Sequence, residues 1–258
     1  MNLFFKTLGE GQPLLILHGL FGSADNWLTH ARNWSQHFKV YLIDQRNHGH
    51  SPHADTMSYD LMAEDLFELI ARENLRDIML LGHSMGGKTA MTFAQAYPFL
   101  IEKMVVVDMG IKSYPPHHQV ILEGLNALDI AHCPSRQEAE KHLLHYVPDD
   151  GTRQFLLKNM YWKNPGELAW RFNLPVLTRD IGRIMEGLSS AACQVQTLFI
   201  RGALSNYVPD SDLDQIKALF PQSSFGTVAQ AGHWVHAESP EEFSQQVLAF
   251  LNGSHRTL

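Results

Sequence analysis

Short apolar runs rich in leucine and β-branched residues alternate with stretches of helical periodicity at both ends of this sequence, the pattern of a mostly parallel sheet covered by helices on both faces. Strands are expected over residues 14–17, 40–43, 78–81, 104–107, 197–200 and 225–228, and helices over 27–37, 59–73, 86–96, 210–219 and 240–251. The alternation fails between about Gly110 and Ala192, where Pro115, Pro116, Pro134, Pro148, Pro165 and Pro175 punctuate helical segments without a clear strand partner. The expected organisation is one α/β core domain formed by residues 1–110 and 193–258, with a helical lid inserted over 111–192. A chain of 258 residues is long enough to bury the core such a domain needs.

Within that frame Gly82-His83-Ser84-Met85-Gly86 follows a buried-strand pattern and runs directly into a helical one. This is the setting in which Gly-x-Ser-x-Gly forms a nucleophile elbow. The turn is tight enough to hold the serine in a strained backbone region, and side chains at the two glycine positions would collide with neighbouring strand and helix. Ser84 then sits at a helix N-terminus, where the Met85 N–H and the helix dipole face any oxygen that becomes negative during acyl transfer.

Composition narrows the function classes. The formal charge of -7 at pH 7, with Lys and Arg scattered, provides no footprint for nucleic acid or an anionic membrane surface. The first residues show no secretory signal pattern, and no stretch is long and apolar enough to span a bilayer. Cys133 and Cys193 lack metal or Cys-x-x-Cys spacing, so reduced thiols and a cytoplasmic location are expected. Nothing in the sequence separates monomer from dimer.

Four motifs, in this order, resemble the α/β-hydrolase superfamily over nearly the whole chain: His18-Gly19-Leu20-Phe21-Gly22-Ser23, Asp44-Gln45-Arg46-Asn47-His48-Gly49-His50-Ser51, the elbow, and Ala231-Gly232-His233-Trp234. The second departs from the family's turn by carrying Asn47 in place of glycine. The 170–177 stretch and the 82–88 segment look like the small bacterial YbfF-type esterases. The resemblance implies an α/β-hydrolase fold, an oxyanion hole formed by the N–H groups of Leu20 and Met85, with Phe21 as the substitute for Leu20, and a bracing rather than proton-transferring role for His18.

His233 lies after the last expected strand, where a loop imidazole with a pKa near ~6.5 can take the serine proton and return it to a leaving group. His236 is its nearest rival among 15 histidines. The acid is the informative departure: where many superfamily members carry aspartate after the penultimate strand, this chain has Ser205, and a neutral hydroxyl cannot offset an imidazolium charge. Asp108 ends the 104–107 strand, at the sheet edge where catalytic groups of open α/β sheets gather, and YbfF-type esterases use this strand end. Asp108 is therefore the expected acid, with Asp210 and Asp212 as fallbacks. Asp44 and Arg46 are expected to form a structural ion pair. His48, His50 and His53 lack the carboxylate or cysteine spacing of a metal site, and no metal or cofactor is expected.

The chemistry so described is that of a serine esterase: an acyl-enzyme on Ser84 formed and hydrolysed with His233 and Asp108. Phe21, Tyr207 and Trp234 from core loops and Trp162, Trp170 and Phe172 from the lid are the expected apolar substrate contacts, suited to short or medium acyl chains. Acyl-CoA thioesters and transfer to an alcohol use the same serine, and a non-catalytic binding protein on this fold is the rival from another class.

Overall fold

Six consecutive buried residues, Ile78–His83, form the strand on which the site is built. In a computed structural model, describing residues 1–116 and 118–253, this strand lies near the middle of a seven-stranded sheet. The first half of the chain supplies β1 (Phe5–Leu8), β2 (Pro13–Leu17), α1 (Leu28–Trp34), β3 (Lys39–Ile43), α2 (Tyr59–Arg72), β4 (Ile78–His83), α3 (Met85–Ala96) and β5 (Ile101–Val107). Next come α4 (Gln119–Ala127), α5 (Arg136–Leu144), α6 (Asp150–Leu157), β6 (Met160–Asn164), β7 (Glu167–Trp170) and α7 (Leu174–Ile184). The chain closes with β8 (Gln196–Gly202), α8 (Leu213–Leu219), β9 (Ser223–Val228), α9 (Val235–Glu238) and α10 (Pro240–Asn252). The core segment expected to run to residue 258 ends, among described residues, at Gly253.

Sheet order is β1-β3-β2-β4-β5-β8-β9, parallel except for β1, which pairs antiparallel with β3. Alternate residues of the central strands feed two cores. Leu15, Leu17, Leu80, Met104, Val106 and Phe199 meet Leu66 and Leu69 of α2 and Phe93 of α3 on one face. Leu14, Ile16, Leu81, Val105 and Ile200 meet Trp34 of α1 and Phe243 and Val247 of α10 on the other. Burial of both faces explains why these strands read as continuous apolar runs.

A third apolar cluster sits above the C-terminal edge of the sheet, where Leu122, Leu143, Leu156 and Leu177 from the segment between β5 and β8 pack on Leu20, Phe21 and Met85. That segment is not wholly helical: β6 and β7 pair antiparallel across a Pro165-Gly166 turn, with Gly166 at φ +81°. Its two ends form a neck, in which Tyr114 N–H donates to Met185 O (2.9 Å) and Leu188 N–H to Ile111 O (2.9 Å). The buried Lys88 ammonium of α3 donates to the carbonyls of both Lys112 and Glu186, tying the neck to the helix that follows Ser84. Burial pushes this ammonium down to about 8. No helix of the described residues is long and apolar enough to cross a membrane.

Candidate active site

Ser84 joins β4 to α3 at φ 53°, ψ -118°, a positive-φ conformation that a non-glycine residue adopts only where its surroundings enforce it. The enforcement is visible at its flanks. A Cβ on Gly82 would lie 2.1 Å from Gly86 O, and one on Gly86 would lie 2.4 Å from Leu17 O. The glycines thus let strand, turn and helix approach closely, and the Ser84 carbonyl starts α3 by accepting from Lys88 N–H (3.1 Å).

Parallel pairing of β4 with β5 aligns His83 with Val107, so the residue after Val107 stands beside Ser84. Asp108, fully buried at φ 46°, accepts from Gly202 N–H (3.2 Å), from the Ser205 hydroxyl and from His233 Nδ1–H (2.8 Å). His233 Nε2 in turn accepts from Ser84 Oγ–H at 3.0 Å. Three side chains from three strand ends therefore form one continuous hydrogen-bonded line. Asp210 and Asp212 take no part: Asp210 pairs with Arg201 (2.5 Å) and Asp212 with Lys112 (2.6 Å).

The imidazole of His233 is fixed from several sides. Tyr207 stacks on it at 4.0 Å between ring centroids and 17° between planes. His83 Nε2–H donates to its main-chain carbonyl (2.9 Å), while Glu238 accepts from the flanking N–H groups of Gly232 (2.7 Å) and Trp234 (3.1 Å). His236 is buried in a stack on Trp27 (4.3 Å, 13°) and makes no contact with Ser84; desolvation pushes it down to about 3. Neither His83 nor Glu238 stood out in the sequence, because both act by holding main chain rather than by any patterned spacing.

The loop after β2 passes directly over the elbow, close enough that a Cβ on Gly19 would lie 3.3 Å from Ser84 Cβ. His18 braces it, with Nδ1–H donating to Gly19 O (2.8 Å) and Nε2 accepting from Gln45 N–H (3.0 Å). Both ring nitrogens are so committed to the neutral form, and desolvation lowers the pKa to about 4. Phe21 N–H donates to His48 Nε2 (3.1 Å) and is spent there. Among the described residues the N–H groups of Leu20 and Met85 have no acceptor.

The expected Asp44–Arg46 pair does not form. Arg46 reaches α2 instead, with a bidentate contact to Asp65 (Nε 2.6 Å, Nη2 2.9 Å), whereas the Asp44 carboxylate accepts main-chain N–H groups of Ala24 (2.6 Å) and His50 (2.8 Å). Both partners of the Arg46–Asp65 pair are buried. Asp65→Ala is expected to lower stability by about 3–5 kcal/mol, the cost of stranding a buried charge, as measured by urea denaturation.

Two small cavities meet at Ser84. One, of about 50 Å³, is lined by Phe21, Ile121, Thr152, Phe155, His233 and Trp234 among others. The second, of about 10 Å³, is lined by Leu20, Met85, Met109, Ile184, Met185 and Tyr207 among others. Three expected contacts belong to neither. Trp162 is 56% exposed on β6, and Trp170 and Phe172 stack on each other (5.2 Å, 10°) as packing behind Phe21. A concavity of about 900 Å³ that does not include Ser84 lies around Gln12, Pro98, Lys103 and Gly253.

Residues 12–166 match the family model described as alpha/beta hydrolase fold. The chain belongs to the alpha/beta hydrolase fold family. Among members of this family, it is 38% identical to the mouse sn-1-specific diacylglycerol lipase ABHD11 over 92% of this chain and 80% of the relative. It is 35% identical to Esterase YbfF of Escherichia coli over 94% of each chain. A solved alpha/beta hydrolase neighbour, a marine microorganism esterase, superposes with a TM-score of 0.94 at 44% identity, covering 96% of this chain and 98% of its own.

Proposed function

We propose that this protein is a serine esterase that hydrolyses short to medium chain acyl esters through an acyl-enzyme. The observation that carries the reading is the unbroken line from Ser84 Oγ through His233 to Asp108, at 3.0 and 2.8 Å, beside two unspent main-chain N–H groups. His233 Nε2 accepts the serine proton as Oγ attacks the ester carbonyl, and Asp108 offsets the charge the imidazole acquires. The N–H groups of Leu20 and Met85 stabilise the oxyanion. His233 passes its proton to the departing alkoxide, then activates the water that releases the acid; no step calls for a metal or organic cofactor. Esterase and lipase names among relatives that match most of the chain point the same way.

Under this reading residues 111–192 act as a lid, entered and left through the neck at Ile111–Tyr114 and Met185–Leu188, and Phe21, Tyr207 and Trp234 wall the substrate. A cytoplasmic location fits two free thiols, Cys133 and Cys193, both buried. A fluorophosphonate probe tests the reading directly. Labelling of the native chain that vanishes in Ser84→Ala is the expected result, and a native chain that stays unlabelled would instead favour a non-catalytic binding protein.

A further inference from the structure

The two cavities at Ser84 are unequal in chemistry as well as size, and the geometry of acyl transfer assigns each a part of the substrate. When Ser84 Oγ bonds to the ester carbon, that carbon carries four substituents: Oγ, the oxyanion, the alcohol oxygen and the acyl chain. The oxyanion must face the main-chain donors of Leu20 and Met85. The C–O bond to the alcohol then breaks, and the alcohol oxygen must face His233, which delivers the proton taken from Ser84. The 50 Å³ cavity is walled by His233 and by Phe155, Thr152 and Trp234. The 10 Å³ cavity touches Ser84, Leu20 and Met85 but not His233. Of the two, only the first is lined by the proton donor, which assigns it the alcohol and leaves the second for the acyl chain.

We infer that the cavity walled by Met109, Ile184 and Met185 is the acyl pocket, that it restricts the protein to acyl groups of two or three carbons, and that the larger cavity accepts bulky, including aromatic, alcohols. This rests on the esterase reading of Ser84 and narrows it. A space of roughly 10–15 Å³ admits one water-sized group, so the acyl pocket as it stands holds little more than a methyl. Its far wall has limited room to withdraw. Tyr59 O–H donates to Ile184 O (2.7 Å), Lys88 donates to Glu186 O, and Met185 N–H donates back to Ile181 O (3.2 Å) and Gly182 O (3.1 Å), so main chain on both sides of Met185 is pinned. The alcohol cavity is walled partly by the rings of Phe155 and Trp234, whose centroids lie 4.4 Å apart, an aromatic surface on which a flat leaving group can pack.

The test is a two-dimensional panel: p-nitrophenyl acetate, butyrate, hexanoate and octanoate for the acyl side, and ethyl, benzyl and naphthyl acetates for the alcohol side, read as kcat/KM. The native protein is expected to lose at least tenfold from acetate to hexanoate while hydrolysing naphthyl acetate as well as or better than ethyl acetate. Met185→Ala and Met109→Ala, each removing a wall residue of this cavity, are expected to raise the hexanoate-to-acetate ratio about tenfold and leave the naphthyl-to-ethyl ratio in place. Phe155→Ala is expected to do the converse. Crossed effects, with Met185→Ala changing alcohol preference and Phe155→Ala changing chain length, would reverse the assignment, and equal rates on octanoate and acetate would overturn the size limit. Fluorophosphonate labelling run beside the panel separates the two readings: a chain labelled at Ser84 with the wrong chain-length profile defeats the pocket assignment alone, whereas a chain neither labelled nor active defeats the esterase reading beneath it.

Discussion

Asp108→Asn is expected to lower kcat/KM on a short acyl ester by on the order of 10⁴, the scale on which loss of a buried triad acid acts in other serine hydrolases. The reason lies in the direction of one hydrogen bond. His233 Nδ1–H now donates to Asp108, which leaves Nε2 free to accept from Ser84. The amide nitrogen of an asparagine can donate to Nδ1 instead, which favours the tautomer with its proton on Nε2, facing the serine it should deprotonate. The charge that offsets the imidazolium is removed at the same time. Ser205 cannot compensate, since its hydroxyl is neutral and already donates to the same carboxylate. Asp210→Asn is the matched control: that carboxylate is exposed and paired with Arg201, remote from the imidazole, and should change the rate less than twofold. Steady-state kinetics on the two variants decide the matter, and the reverse ranking would remove Asp108 from the mechanism.

The same residue illustrates what the sequence could disclose. A run of buried strand residues followed by a helical pattern is a local signal, and so is the glycine spacing around Ser84; both survive into the structure because the turn geometry demands them. The placement of Asp108 beside Ser84 was readable one step further out, since strands that follow one another through a helix in an α/β chain tend to be neighbours, and β4 and β5 pair from Ile78 to His83. Strand β1 and the β6–β7 hairpin were not readable as apolar runs because they are partly exposed and carry lysine, threonine and asparagine. The hairpin did leave a cue, a Pro-Gly pair with the conformational preferences of a type II turn, which the proline-rich surroundings obscured.

Side-chain partners fared worse than elements, for a physical reason. Asp44 and Arg46 are two apart in sequence, but a turn that spends the aspartate on main-chain N–H groups sends the arginine to Asp65, nineteen residues away on α2. Likewise, aromatic identity does not reveal which face of a segment meets the site. Trp162 projects outward, while the cavity walls come from Ile121, Phe155, Ile184 and Met185, positions on or at the end of helices whose rotation is set by tertiary packing.

Acid should unfold this protein steeply between about pH 6.5 and 4. His18, His48 and His236 are buried and held neutral, pushed down to about 4, 3 and 3 chiefly by desolvation. His83 is also well below the usual histidine range for the same reason, and His30 is lowered. In the unfolded chain each titrates near ~6.5. Between the folded and unfolded values the unfolded state binds more protons, so stability rises with pH there. The stabilisation from keeping these rings neutral is complete above about pH 6.5 and is lost as pH falls toward the folded values. Each such histidine contributes a slope of up to about 1.4 kcal/mol per pH unit, so the three with assigned values together contribute about 4 kcal/mol per unit below about pH 6. Asp44, whose carboxyl is raised by desolvation, works in the opposite direction, but as one group against several. Against a typical total of roughly 5–15 kcal/mol, the transition should fall within two pH units of its onset. Neutrality is demanded by specific contacts: His18 Nε2 and His48 Nε2 each accept a main-chain N–H, which a protonated ring cannot do. His48→Gln, whose amide can both accept from Phe21 N–H and donate to Arg46 O, should shift the midpoint of acid unfolding downward. Urea titrations at pH 8, 6.5 and 5 measure the slope, and a stability that stays flat across those three conditions would show that the buried rings do not control it.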